Sequence, residues 1–184
     1  MILIVDNRID KDQSAKSSLT EKLIKKVISQ AIITSYETQD TAIQWNDVNC
    51  IILSGSGIRI STTPQHPKIL YCLQILAKAR ERKIPTLGIC FGMQIMAYSF
   101  GLNIEKRCNA INPYYEHSHY AMNKMYFNHN DCVRQMPVGS VEYDAKKKYI
   151  ISFKYGNFIG VQWHPEGTRH GIVWLRKWIQ NTQK

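Results

Sequence analysis

The apolar residues of the chain come in two textures. Short unbroken runs, MILIV at residues 1–5, AIITSY at 31–36, CIIL at 50–53 and IPTLGI at 84–89, have strand length and show no polar alternation. Between them lie segments of helical period. One spans 17–30, with Leu19, Leu23, Ile24, Val27 and Ile28 on one face. Another covers 67–82, and a shorter one begins at Phe91 and stops at Gly101. A strand apolar on both faces belongs in a parallel sheet covered by helices on both sides. The pattern therefore predicts an α/β fold with a doubly wound, mostly parallel open sheet. Past residue 102 the texture changes. KMYFNHNDCV (124–133) and GSVEYDAKKKYIISFKYGNFIGVQW (139–163) predict short strands and an antiparallel C-terminal hairpin region, and residues 168–184 predict a closing helix. With no internal repeat, low-complexity tract or linker, residues 1–184 are expected to form a single domain.

Composition narrows the class. Hydrophobic residues at 44% and charged residues at 21% are ordinary for a soluble globular protein. No apolar run reaches the 18 or so residues that would mark a membrane span. The opening MILIVDN has no basic leader and no small-residue cleavage site, so a first strand is expected rather than a signal peptide. Five cysteines, Cys50, Cys72, Cys90, Cys108 and Cys132, are odd in number and form no Cys-x-x-Cys pair. That usage suits free thiols in a reducing compartment, so a cytoplasmic location is expected. The formal net charge of +10 falls partly on EKLIKKVI, KARERK and DAKKKY, which read as exposed faces. No aromatic-plus-basic motif accompanies it, so nucleic acid is not the expected partner; a solvated surface or an acidic protein partner is.

One stretch carries chemistry. Gly88-Ile89-Cys90-Phe91-Gly92 closes an apolar strand and opens a helix, the form of a nucleophile elbow. Small residues flank such a turn because it is tight, and it lifts the central side chain above the carboxyl ends of the strands. The helix beginning there points its amides and positive end at the sulfur, which favours thiolate. A buried cysteine filling a core gap is the competing reading. The second stretch is GVQWHPEG at 160–167. A cysteine nucleophile needs a base to take its proton, and the base needs a partner that holds its tautomer. His164 and Glu166, two apart in an expected extended segment, point the same way, with Pro165 restricting the backbone.

Gly88-x-Cys90-x-Gly92-x-Gln94 followed by Gly160-Val161-Gln162-x-His164-Pro165-Glu166 resembles the class I, triad-type glutamine amidotransferase family, and the likeness extends over essentially the whole chain. The resemblance implies a flavodoxin-like sheet and a glutaminase, most like that of GMP synthase. It implies that Cys90 attacks the side-chain amide of glutamine and that ammonia leaves. A glutamyl thioester is then hydrolysed, with no cofactor. It further implies that the backbone amides of Ser56 and Phe91 form the oxyanion hole, and that Gly55, Gln94, Asn130 and Asp131 bind substrate. A separate, ammonia-using synthetase is the implied partner.

The match frays in one loop. Where the family has Ser-Gly-Gly-Pro, this chain has Ser54-Gly55-Ser56-Gly57. A side chain at a position that favours positive φ is costly, and a lost proline loosens the loop. Two consequences are open: an active geometry reached only on docking a partner, or a somewhat different substrate. His117 and His119, near His129 and Cys132, have metal-like spacing but complete no four-ligand pattern, so no metal site is expected. Two alternatives to the ammonia-supplying amidotransferase stand: a self-sufficient γ-glutamyl hydrolase or peptidase of the same fold, and a catalytically silent interaction module. An intact Cys90, His164 and Glu166 speaks against the latter.

Overall fold

The computed structural model describes residues 1–8, 31–38, 43–106, 115–117, 122–144 and 149–182. The helix predicted over 17–30, and His119 and Cys108, lie outside them. Among the described residues the central sheet has seven strands, in the order β2–β1–β3–β4–β11–β10–β9. Its parallel part joins β1 (Ile2–Val5), β2 (Ala31–Thr34), β3 (Cys50–Leu53), β4 (Thr86–Ile89) and β11 (Phe158–Val161). Then β10 (Ser152–Tyr155) and β9 (Val141–Asp144) continue it antiparallel. Short pairs stand apart: β5 (Ile104–Glu105) with β8 (Cys132–Val133), and β6 (Tyr115–His117) with β7 (Met122–Met125).

The strands β1, β3 and β4 are buried on both faces, whereas Ala31, Ile32 and Ile33 of β2, at the edge of the sheet, are half-buried. Leu3, Val5, Ile51 and Leu53 join one core layer with Ile69 and Ile75 of α1 (Pro67–Glu81) and Met93 and Ile95 of α2 (Phe91–Ser99). Their neighbours Ile2, Ile4, Ile52, Leu87 and Ile89 face the other way, onto Leu175 and Ile179 of α3 (Arg169–Thr182). Each such buried aliphatic side chain contributes about 2 kcal/mol. The alternation of a strand, with one apolar helix stripe waiting on each side, is what makes the sheet doubly wound.

Local chemistry sets the helix ends. His66 caps α1, its Nδ1 accepting the Lys68 amide at 3.1 Å, and Pro67 fills a first position that needs no amide. Gly101, at φ 81°, follows α2 as predicted.

Two local expectations change. The His164–Glu166 segment is not extended throughout: Pro165–Gly167 forms a 3₁₀ turn closed by the Gly167 amide on the His164 carbonyl at 3.0 Å. A proline at the first position, with its φ preset for helix, explains that turn. Cys132 is disulfide-bonded, so free thiols hold for Cys50, Cys72 and Cys90 but not for it. Among the described residues no helix is long and apolar enough to cross a membrane.

Candidate active site

Cys90 stands between β4 and α2 with φ 53° and ψ −103°, a conformation that costs a non-glycine residue about 1–3 kcal/mol. The surroundings enforce it. A Cβ on Gly92 would collide with the Leu53 carbonyl, and one on Gly88 with the Gly92 carbonyl, so both flanks must be glycine. The Cys90 amide donates to the Val161 carbonyl at 2.7 Å, which pins the elbow to β11.

The chain leaving β11 keeps strand alternation for three residues. Gln162 and His164 face Cys90, whereas Trp163 turns into the second core layer and packs on Trp174, ring centroids 5.0 Å apart. Gln162 Nε2 lies 3.6 Å from the Cys90 sulfur, and the sulfur faces the Asn128 carbonyl at 3.7 Å. The Cys90 side chain is near enough to His164 to raise the ring's pKa, and His164 is held through its own amide on the Tyr126 carbonyl at 2.8 Å. On its far side, His164 Nδ1 meets Glu166 Oε1 at 2.8 Å. The 3₁₀ turn brings that carboxylate back under the ring. Cys90, His164 and Glu166 are each 4% exposed.

Burial by itself pushes the His164 pKa down, but the Cys90 sulfur and the Glu166 carboxylate outweigh it and raise it to about 10. Burial pushes Glu166 up, yet the His164 charge and hydrogen bond, with Arg8 behind them, hold it below the ordinary carboxylate value. His129 behaves oppositely: burial drives it down to about 4, so it is neutral, and its Nδ1–H donates to the Asp131 carbonyl at 2.9 Å.

The remaining predicted residues divide. Ser56 is not strained, because among the described residues only Lys83 and Cys90 are non-glycine with positive φ. Its Oγ donates to the Asn7 carbonyl at 3.0 Å and accepts the Ile58 amide at 3.2 Å. Asn7 anchors the whole loop: its amide donates to Ser54 Oγ at 2.8 Å, and buried Lys68 reaches its carbonyl at 3.1 Å. Phe91 opens α2, so its amide belongs to the helix's first turn. Gln94 is buried, its Nε2 donating to the Asp131 carbonyl at 2.8 Å. The Asp131 carboxylate takes the Ser61 amide at 3.0 Å and the Ser61 hydroxyl at 2.7 Å, which ties the loop after β3 to the 129–131 segment. Asn130 is exposed and Gly55 packs over His164. Among the described residues no group of three or more His, Cys, Asp or Glu is placed to hold a metal.

Sequence reading missed Arg8, Asn7 and Lys68. The one signal available was position: Asn7 and Arg8 follow the first strand of a parallel sheet, whose carboxyl end is where such sheets bind ligands.

A thiol on a strained elbow, an imidazole beside it and a carboxylate behind the imidazole form the constellation for acyl transfer through a covalent intermediate. The family model for class I glutamine amidotransferases matches residues 7–180, and the chain belongs to that family. It is 26% identical to the GMP synthase of Wigglesworthia glossinidia brevipalpis, across 91% of this chain but only 35% of that protein. It is thus about a third as long as that relative. It is 30% identical to the γ-glutamyl-CDP-amidate hydrolase of Campylobacter jejuni, over 72% of this chain and 70% of that protein. A Thermoplasma acidophilum structure described as a GMP synthase subunit superposes with a TM-score of 0.73 at 17% identity, covering 99% of this chain and 93% of that one.

Proposed function

We propose that this chain hydrolyses the side-chain amide of glutamine through Cys90, with His164 as base and Glu166 as its orienting carboxylate. The sulfur attacks the amide carbon while His164 takes the thiol proton. The oxyanion forms against the amides of Phe91 and Ser56, each such donor being worth about 3 kcal/mol of barrier. His164 returns the proton to the departing nitrogen, ammonia leaves, and a water activated by the same ring hydrolyses the glutamyl thioester. Gly55, Gln94, Asn130 and Asp131 line the substrate side, and a synthetase outside this chain uses the ammonia. The observation that carries this reading is the 2.8 Å contact between His164 Nδ1 and Glu166 Oε1. With Nδ1 so held, the other ring nitrogen is left to take the thiol proton, which the ring then keeps because Cys90 and Glu166 raise its pKa.

A second reading, a self-sufficient γ-glutamyl amide hydrolase, is favoured by the likeness to the Campylobacter jejuni hydrolase, most of whose length is covered. One assay separates the two. Glutamine and a panel of γ-glutamyl amides are offered to the chain alone and with a GMP synthetase unit that lacks its own glutaminase. Feeble glutamine hydrolysis that rises with the synthetase supports the first reading. Full activity on a γ-glutamyl amide, indifferent to the synthetase, supports the second.

A further inference from the structure

Arg8 stands just past β1, where Asp6 Oδ1 accepts its amide at 2.9 Å. One guanidinium nitrogen, Nη2, lies 3.0 Å from His164 Nδ1 and 3.3 Å from Glu166 Oε1. Those two atoms are themselves 2.8 Å apart, so three polar groups close a triangle. Gly55 makes room for it: a Cβ there would stand 2.9 Å from His164 Cε1 and 3.1 Å from Arg8 Nη2. Arg8 is the accessible corner, 28% exposed against 4% for Glu166.

Such a triangle cannot satisfy all three edges at once. A guanidinium nitrogen only donates, whereas Nδ1 offers either one hydrogen or one lone pair. When Nδ1 carries the hydrogen it donates to Glu166, and Arg8 keeps Oε1 alone while its N–H faces another N–H. When Nδ1 is bare, Arg8 donates to it and the ring proton moves to Nε2, the nitrogen that serves Cys90. The imidazolium is opposed in either arrangement, because it sets a second positive charge against the guanidinium.

We propose that Arg8 is a positioning residue: it shares the orienting carboxylate with His164 and restrains the charge on the base, so that the ring releases its proton in both halves of the reaction. This rests on reading His164 as the base. The need for restraint follows from the other groups facing the ring. Cys90 and Glu166 both favour the charged ring, and the neutral His129 and the Tyr126 ring, 5.7 Å away, supply no anion to compete for its proton. An imidazole whose charged form is favoured by Cys90 and Glu166 alone takes the thiol proton readily and returns it slowly.

The test compares wild type with Arg8→Gln, Arg8→Met and Arg8→Lys. Readouts are the pH dependence of glutamine hydrolysis and the ¹⁵N signals of the His164 ring. In Arg8→Gln and Arg8→Met the alkaline limb and the ring titration should rise by about one unit or more, a tenfold gain in proton affinity. The turnover number should fall with KM unchanged, and Arg8→Lys should restore the limb. A purely structural role would lower the melting temperature and leave limb and ring signals in place. If either neutral variant fails to fold, the other and Arg8→Lys decide. Unmoved limb and signals in the folded neutral variant, or Arg8→Lys titrating like it, overturn the proposal. His164→Asn serves as control: inactive, it keeps the base assignment, and any failure belongs to Arg8 alone. More than a tenth of wild-type turnover in His164→Asn sinks the base assignment and this proposal with it.

Discussion

The amide of Cys90 donates to the carbonyl of Val161 at 2.7 Å, so the backbone that carries the thiol is bonded to the end of the strand that leads to His164. From Val161, the last residue of β11, the chain needs only three residues outside the strand to reach His164. The relative position of thiol and imidazole is therefore set by the β4–β11 ladder, whose register runs from Phe158 opposite Thr86 to Val161 opposite Ile89. A site assembled on paired strands is held more closely than one assembled on loops.

Replacing Cys90 by Ala should abolish glutamine hydrolysis; turnover above a tenth of wild type would remove the nucleophile assignment. Cys90→Gly should be equally inactive but more stable by about 1 kcal/mol, because the position holds φ 53°. Urea unfolding of the two variants side by side measures the strain stored at the elbow.

Glu166→Gln should lower the turnover number by a factor on the order of 10³ with little effect on KM. The amide can present its NH₂ to Nδ1 and so stabilise the wrong tautomer. Steady-state kinetics check this, and wild-type turnover would show that the carboxylate plays no part.

Gly92→Ala should destabilise the fold by about 3 kcal/mol or more, since its Cβ would run into the Leu53 carbonyl, which cannot swing aside as a side chain does. Gly57→Ala, with open space around it and ordinary φ, should lie within about 0.5 kcal/mol of wild type. Equal stabilities of the two variants would contradict the packing described for α2 against β3.

Stability should fall on both sides of neutral pH. His129 has a folded pKa lowered to about 4, so between the ordinary 6.5 and that value the unfolded chain binds the extra proton and stability drops as pH falls. His164 is raised to about 10, so its contribution is complete below 6.5 and is lost as pH climbs through 10. In a melting-temperature series against pH, His129→Asn should flatten the acid side, and Glu166→Gln should weaken the alkaline decline. An acid side that keeps its slope in His129→Asn assigns the loss to other groups.

By itself, the sequence determined whatever depends on neighbours along the chain. Unbroken apolar runs named the buried parallel strands, glycines two either side of Cys90 named the elbow, and Pro165 kept His164 and Glu166 within reach of each other. Even there a local detail escaped, because proline folded the last step into a 3₁₀ turn instead of extending it. Tertiary structure alone decided the partners that lie far off in sequence. Arg8 meets Glu166 across 158 positions, Gln94 reaches the Asp131 carbonyl across 37, and Asp131 secures Ser61 across 70. Such pairings leave no periodic trace, since one arginine after a strand reads the same whether it faces water or a buried carboxylate. Only the order in which the strands assemble, β1 beside β3 and β4 beside β11, carries these groups to one rim of the sheet, where the cost of burying charge is met by pairing it.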